Sequence, residues 1–345
     1  MTLSTETKDG RPAWRRIVAK YEKPNLGRSL GQIASTMIPY FAILCVMYLT
    51  LEVSYWITLA LAFPAAGFLT RNFIICHDCG HGSFFKSKKA NRILGFVSGV
   101  LTFLPSYYWS HEHAKHHAAA GDLDRRGHGD IWTLTVQEYL ALSRGKRIWY
   151  RLYRNPFFLF GVAPIFVFLV NYRYWRRGDT ARDRWSTIRT NLALVAIVIV
   201  ASLTIGIKAY VMIQVPIMIV AGAFGVWLFY VQHQFENTYW ERHENWNYVQ
   251  HALKGSSFYK LPGIFQWFSG NIGFHHVHHL SPRIPNYYLQ KCHESHPMFQ
   301  EVKHVTLWSS MKCLGYRMWD EERKKLVGFS YVSVYLAKQA MPSGQ

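Results

Sequence analysis

Long apolar runs alternate along this chain with short polar and strongly basic stretches. A helix needs about 20 apolar residues to cross the hydrocarbon core of a membrane. Runs that reach or approach this length are 33–51, 56–75, 192–207 and 211–231. Few residues separate the first run from the second, or the third from the fourth. The pattern therefore predicts an all-α integral membrane protein with four transmembrane helices in two hairpins, 33–75 and 192–231.

Two shorter apolar stretches, 93–104 and 157–170, complicate this count. The second contains Gly161 and Pro164 and is bracketed by arginines. A single crossing there would place its basic flanks on opposite sides of the membrane, whereas positive flanks favour the cytoplasmic side. We therefore predict that both stretches lie at the membrane interface or re-enter from it.

Charge predicts the orientation of the chain. It has 39 Lys and Arg residues against 20 Asp and Glu, a formal net charge of +19. The positive residues concentrate in 1–30, in 77–190 and after 231, which places both termini and the middle segment in the cytoplasm. The charge is therefore mainly a topology signal and also favours contact with anionic membrane lipid. Nucleic-acid binding is the weaker interpretation, because no basic helix or stacking motif accompanies the charge.

Composition divides the chain into a basic cytoplasmic N-terminal segment, 1–30, and a single membrane domain, 31–345. The N-terminal segment lacks the apolar core and small-residue cleavage site of a secretory signal. The five cysteines are too few and too scattered for a disulfide framework. They are compatible with a reducing cytoplasmic face.

Ten of the 17 histidines fall into three tight groups. These groups read "HDCGH" at 77–81, "HEHAKHH" at 111–117 and "HHVHH" at 275–279. Helical residues three or four apart share one face. The histidines that follow this spacing are His77, His81, His113, His116, His117, His275, His278 and His279. Their imidazoles can converge on a metal, and imidazole suits iron, zinc or copper rather than calcium or magnesium.

Placement along the chain strengthens the metal hypothesis. His77 directly follows the second apolar run and His233 directly follows the fourth, so each hairpin brings a histidine to the cytoplasmic exit. These histidines exceed the needs of one catalytic ion, which usually takes about three protein ligands. We therefore predict two metal ions held in a cytoplasmic helical cap. Two-metal hydrolysis is an alternative, although such sites normally include bridging carboxylates.

The other histidines are not predicted to be metal ligands. His111 and His276 break the spacing and either orient the ligands or are spare. The remaining isolated histidines are predicted to be solvated or hydrogen-bonded: His128, His243, His251, His293, His296 and His304.

The three groups between two hairpins, with the tail "HHLSPRIPNY" at 278–287, resemble the membrane fatty acid desaturases. The resemblance is to the acyl-lipid branch, which includes delta-12 and bacterial delta-5 enzymes, and covers roughly residues 30–300. It implies two iron ions that activate O2 and remove hydrogen from a methylene pair, leaving a cis double bond in an acyl chain of a membrane lipid. The implied ligands are the eight pattern histidines and His233.

The resemblance also implies an external electron supply. Neither a cytochrome b5-like HPGG segment nor a Rossmann glycine fingerprint is present, which favours a separate donor such as a ferredoxin. The expected location is a bacterial inner membrane with the active site on the cytoplasmic side. One departure concerns Phe229, since animal acyl-CoA desaturases have an asparagine one turn before the histidine that follows the last span.

Two other functions remain as alternatives. A related di-iron hydroxylase or ketolase, acting on alkanes, carotenoids or sphingolipids, would share the histidine chemistry but insert oxygen. A metal transporter would carry its site near the middle of the membrane, whereas these histidines follow the ends of the predicted spans.

Carboxylates and aromatic residues lie close in sequence to the histidine motifs. Carboxylates that orient the imidazoles are predicted among Asp78, Glu112, Asp130 and Glu236. Aromatic residues that either anchor the protein at the interface or wall an acyl tunnel are Phe84, Phe85, Tyr107 and Trp109.

Overall fold

The structure, a computed structural model, describes residues 12–340, with side chains through residue 338. Residues 1–11 and 341–345, the ends of the predicted N-terminal segment and membrane domain, lie outside the described residues. The helices are α1 (Ala13–Val18), α2 (Leu26–Thr50), α3 (Tyr55–His81), α4 (Lys88–Leu101), α5 (Ser106–Ala119), α6 (Val136–Ala141), α7 (Arg144–Tyr153), α8 (Ala163–Leu169), α9 (Ala181–Thr204), α10 (Ile207–His233), α11 (Tyr248–Gln250), α12 (Gly263–Phe268), α13 (His275–Leu280), α14 (Asn286–Glu294), α15 (Pro297–Gln300), α16 (Leu307–Ser310) and α17 (Tyr331–Ala340).

Short strands and irregular helical turns complete the chain. The strands are β1 (Leu134–Thr135), β2 (Phe258–Lys260), β3 (His304–Thr306), β4 (Met318–Asp320) and β5 (Lys325–Val327). The π-helical turns are Phe158–Val162 and His251–Gly255, and the 3₁₀ turns are Asn171–Arg173, His243–Asn245 and Met311–Gly315.

Four helices, α2, α3, α9 and α10, are long and apolar enough to cross a membrane. They form the two predicted hairpins, but α2 and α9 begin well before the predicted apolar runs. Capping explains these starts: the Asn25 side chain accepts the Arg28 N–H, and Thr180 forms a capping box with Asp183. At their other ends, α3 runs on to His81 and α10 to His233.

Helix α3 is the centre of the helical packing and contacts α2, α4 and α10. The small side chains of Ala62, Ala65 and Ala66 let neighbouring helices approach closely in a buried core. Large apolar side chains point outward instead, and Leu49 and Leu203 are 69% and 81% exposed. Such an outward apolar surface is expected of helices that face lipid.

The two shorter apolar stretches follow different paths. The first lies mostly within α4, which packs against α3 and α5. The second forms a π-helical turn and α8, and together with α7 it makes a pair bent by 62°. This bend belongs to a broken span or a re-entrant loop, and the interfacial position of both stretches stays a prediction.

The all-α prediction missed two small sheets. Strand β1 runs parallel to β4, which pairs antiparallel with β5, and β2 runs parallel to β3. The chain is therefore mostly helical rather than all-α. Strands of two or three residues are too short to leave a detectable alternation of polar and apolar positions. The β1–β4 pair ties the segment between the hairpins to the C-terminal part of the chain.

The described part of the N-terminal segment packs against the third histidine group. Trp14 and Val18 of α1 share a buried core with Ile74, Phe274 and Leu280. The division of the chain at residue 30 stays a prediction.

Candidate metal centre

All nine histidines predicted as metal ligands converge on one region of the structure. The last turn of α3 supplies two, α5 three, the last residue of α10 one and α13 three. Their side chains are His77, His81, His113, His116, His117, His233, His275, His278 and His279. The helical spacing read from the sequence is therefore present in α3, α5 and α13.

Five of these histidines form a first group, consisting of His77, His81, His113, His117 and His278. One ring nitrogen of each lies within 4.8 Å of the corresponding nitrogens of the other four. Nε2 of His278 is 3.1 Å from Nε2 of His77 and 3.0 Å from Nε2 of His117. The group thus joins the first, second and third sequence motifs.

The second group consists of His116, His233, His275 and His279. Nε2 of His233 is 3.3 Å from Nε2 of His116 and 3.0 Å from Nε2 of His275. Nε2 of His275 is in turn 3.1 Å from Nε2 of His279. The end of α10 therefore completes a donor set that α5 and α13 begin.

These distances fit metal coordination. Imidazole nitrogens bind zinc at about 2.0–2.1 Å, and neighbouring donors around such an ion lie about 2.9–3.4 Å apart. The facing nitrogens here are separated by 3.0–3.3 Å. A shared cation also satisfies several convergent lone pairs at once, which single protons between ring pairs cannot do. The two groups, both made of nitrogen donors, thus fit a pair of transition-metal ions.

The surroundings keep the rings available as donors. Burial, followed by the neighbouring histidines, lowers the pKa of His113, His117, His275, His278 and His279 well below the ordinary histidine value. These rings are therefore neutral near pH 7, as metal ligation requires.

Three histidines are oriented through their second ring nitrogen. Nδ1 of His77 is 3.0 Å from Asp78 Oδ1, and Nδ1 of His116 is 2.5 Å from Asp130 Oδ1. Nδ1 of His233 is 3.3 Å from the carbonyl oxygen of Gly255. An Nδ1–H that donates to such an oxygen leaves Nε2 as the metal donor.

The four carboxylates predicted to orient imidazoles differ in their contacts. Asp78 and Asp130 contact His77 and His116, two of the predicted ligands, as expected from the sequence. Glu112 binds Lys115 instead, and Glu236 binds Lys303 at the surface. Proximity in sequence alone did not distinguish these two pairs.

The two histidines that break the spacing turn away from both groups. Nδ1 of His111 is 3.1 Å from Asp183, near the start of α9. Nε2 of His276 is 3.0 Å from Nδ1 of His293. His111 therefore joins α5 to α9, and His276 packs against α14.

His251, predicted from the sequence to be an isolated solvated or hydrogen-bonded histidine, is 2% exposed and lies beside the second group, so it is not solvated. Its ring centroid lies 6.1 Å from that of His233. A Cβ on Gly121 or Gly255 would come within 2.3 Å of its Nδ1, so the two glycines make room for the ring. Its position has no helical spacing to the motifs, so no sequence signal marked it.

The aromatic residues near the motifs also differ in their surroundings. Trp109 stacks on His113 with ring centroids 4.5 Å apart. Phe84 is fully buried, whereas Tyr107 is exposed. Trp109 therefore forms part of the wall of the first group.

Replacing Asp130 with alanine is expected to weaken metal binding by the second group. Removal of a carboxylate that orients a metal-bound histidine typically lowers metal affinity about 10–100-fold. Competition with a chelator measures this loss in the purified protein. The matched control is Glu236→Ala, since Glu236 lies at the surface against Lys303. Equal affinities of the two variants would exclude this role of Asp130.

Together, four helices apolar enough to cross a membrane and two nitrogen-donor groups that could hold metal ions define a mostly helical protein with a candidate metal centre. The model of the fatty acid desaturase family matches residues 54–309. The chain belongs to the fatty acid desaturase family, and the resemblance read from the histidine motifs is confirmed.

Relatives agree with this assignment. A fatty acid desaturase of Bacillus subtilis (strain 168) is 52% identical over 312 residues, which cover 90% of this chain and 89% of that protein. The sn-1 oleoyl-lipid 12-desaturase of Synechocystis sp. is 25% identical, covering 77% of this chain and 73% of the relative. The sn-1 acyl-lipid omega-3 desaturase (ferredoxin) of the same organism is 28% identical, covering 65% and 62%.

Proposed function

We propose that this protein is an acyl-lipid desaturase that introduces a cis double bond into the acyl chains of membrane lipids. It uses O2, electrons from an external donor and two histidine-bound iron ions. The observation that carries the proposal is the convergence of nine histidines in two adjacent groups. Membership of the desaturase family favours this reaction over hydroxylation or ketolation.

The proposed ligands are the five histidines of the first group and the four of the second. When bound, the iron pair supplies O2 activation and the oxidising power to remove hydrogen from an unactivated methylene pair. The protein contributes neutral nitrogen donors in fixed positions. His116 and His117 adjoin in α5 but belong to different groups, and the rings of His117 and His279 stack 4.2 Å apart. The two ions would therefore be neighbours, as joint action on O2 requires.

Burial of the ligands supports the chemistry in a second way. His116, His278 and His279 are each 1% exposed. Little water reaches their rings, which protects a reactive intermediate from side reactions.

The proposed location is a bacterial inner membrane, with the termini and the histidine groups in the cytoplasm. Both groups lie at the ends of α3 and α10 that the positive-inside rule assigns to the cytoplasm. Electrons come from a separate carrier such as a ferredoxin. Support for this donor comes from the Synechocystis relative whose name includes ferredoxin.

Expression of the chain in a bacterium without desaturases tests the reaction. New unsaturated acyl chains are expected in the membrane lipids, and gas chromatography–mass spectrometry of double-bond adducts locates the bond. The His278→Ala variant, which lacks a central nitrogen of the first group, serves as the inactive control. Hydroxylated lipids without unsaturated ones would support the alternative enzyme. Metal analysis should give two irons per chain, and a single iron would overturn the dinuclear proposal.

A further inference from the structure

The tail that follows the third histidine motif, "LSPRIPNY" at 280–287, has no place in the ligand set, yet its polar residues bind other parts of the protein. The Ser281 hydroxyl donates to Glu22 at 2.8 Å. The Tyr287 hydroxyl accepts the backbone N–H of Asn25 at 2.9 Å and lies 3.2 Å from the Ser29 hydroxyl. The tail therefore fastens the third motif to the N-terminal segment and the start of α2.

Between these two contacts, Asn286 reaches the first histidine motif. Its backbone N–H donates to Oδ2 of Asp78 at 2.7 Å, and its side-chain Nδ2 donates to the same oxygen at 2.8 Å. The other carboxylate oxygen of Asp78 faces Nδ1 of His77 at 3.0 Å. A single carboxylate thus connects Asn286 with a histidine of the first group, although 208 positions separate Asn286 from Asp78.

Because Asp78 is buried, its carboxylate depends on hydrogen bonds from the protein. Asp78 and Asn286 are each 1% exposed. Within the described residues, Asp78 has no lysine or arginine partner, and its only ion-pair contact is with His77. An isolated buried carboxylate is costly unless hydrogen bonds compensate for the lost water. The two Asn286 donors supply that compensation and also fix the plane of the carboxylate.

Local structure explains how Asn286 can donate twice. It is the first residue of α14, directly after Pro285. The first N–H groups of a helix have no partner within the helix, so its backbone donor is free for Asp78. Ile284, which is fully buried, anchors the turn that presents it.

We propose that Asn286 is a positioning residue for the first metal site. It holds Asp78, and Asp78 sets the tautomer and the direction of His77, whose Nε2 lies 3.1 Å from Nε2 of His278. The tail thereby closes the third motif on the first and completes the donor set of five. This inference rests on the proposed metal centre.

Metal affinity, measured separately for the two sites, tests the inference. Asn286→Leu removes the side-chain donor and replaces it with an apolar side chain of similar size. Iron affinity of the first site should fall about tenfold or more, since loss of a partner that orients a ligand histidine has this effect. The second site should be unchanged. The Mössbauer spectrum of protein loaded with ⁵⁷Fe should accordingly lose or shift the signal of one iron. Asn286→Ser, which keeps a donor, should retain more iron than Asn286→Leu.

A double-mutant cycle separates positioning from general damage to the fold. In an Asp78→Asn background the carboxylate is gone, so Asn286→Leu should cause little further loss of iron. The matched control is Ser281→Ala, which breaks the contact between the tail and Glu22 but should leave iron affinity unchanged. If Asn286→Leu does not fold, Asn286→Ala, which also removes the side-chain donor but introduces no larger apolar group, takes its position in the cycle.

The outcomes are distinguishable. Wild-type affinity at both sites in Asn286→Leu would overturn the inference, and so would an equal loss with and without Asp78. A wild-type protein that binds fewer than two irons would overturn the proposed centre itself, and the inference with it. Two irons in the wild type with a first-site loss that depends on Asp78 would establish Asn286 in this role.

Discussion

Replacing His233 with alanine is expected to reduce desaturation to background and to remove one of the two proposed iron ions. His233 is the last residue of α10, and its Nε2 lies between those of His116 and His275, at 3.3 and 3.0 Å. Without it the second group keeps three donors, and none of them comes from the second hairpin. Lipid analysis of an expressing strain measures the activity, and metal analysis of the purified protein measures the iron.

His304→Ala is the matched control for this prediction. His304 lies on β3, is exposed, and packs beside the ring of Phe258 rather than beside a ligand. Its replacement should preserve both irons and most of the activity. A His233→Ala protein with wild-type activity would remove His233 from the proposed ligand set. Equal losses in the two variants would indicate an effect on folding rather than on metal binding.

The histidine motifs were readable from the sequence because their geometry is local. Spacing of three or four residues on a helix brings imidazoles together whatever the rest of the chain does. The position of His233 was also readable, because a helix that leaves an apolar run carries its last residue to the same end as His77. Two hairpins bring both ends to one side, so the convergence of the groups followed from counting the runs.

The residues that orient the ligands were less predictable, since most of their contacts join distant parts of the chain. Asp130 is 14 positions from His116, and Asn286 is 208 from Asp78. No periodicity marks such pairs. For the same reason, Glu112 and Glu236 were as plausible in the sequence as Asp78 and Asp130, and only the packed structure separates them.

The starts of the helices and the two small sheets were also not predictable from the lengths of the apolar runs. The beginning of α9 depends on the capping box of Thr180 and Asp183, which lies outside the apolar run. Strand β1 exists because two residues lie beside β4, more than 180 positions away in the chain. Both features are set by individual hydrogen bonds, whereas apolar length predicts only that a helix is present.

Arg154 carries the second large prediction, on stability. Its side chain is 1% exposed and lies at the end of α7. Nη1 donates to the Trp132 carbonyl at 3.1 Å, and Nη2 donates to the Gln234 side chain at 3.0 Å and to the Tyr316 carbonyl at 2.9 Å. One guanidinium therefore joins the segment before β1, the end of α10 and the segment before β4.

Arg154→Met should lower the free energy of unfolding by about 3 kcal/mol or more. Methionine fills most of the space but removes every hydrogen bond that the guanidinium donates, at a cost of about 1–3 kcal/mol for each buried partner that loses its donor. The Tyr316 carbonyl retains the Tyr230 hydroxyl and the Gln234 side chain retains Thr133. Replacing a buried charge with an apolar group is tolerated when its partners are replaced as well, and here they remain. Arg144→Met, an exposed change on the same helix, should have little effect on stability.

Thermal unfolding in detergent, followed by the amount of monodisperse protein, measures the difference. A loss of this size corresponds to a drop of about 5 °C or more in apparent melting temperature. Because Gln234 directly follows His233, the Arg154 variant should also hold iron in the second group less tightly than Arg144→Met does. Equal melting temperatures for the two variants would show that the acceptors of Arg154 find other donors, most simply water, and that the end of α10 is held by its remaining contacts.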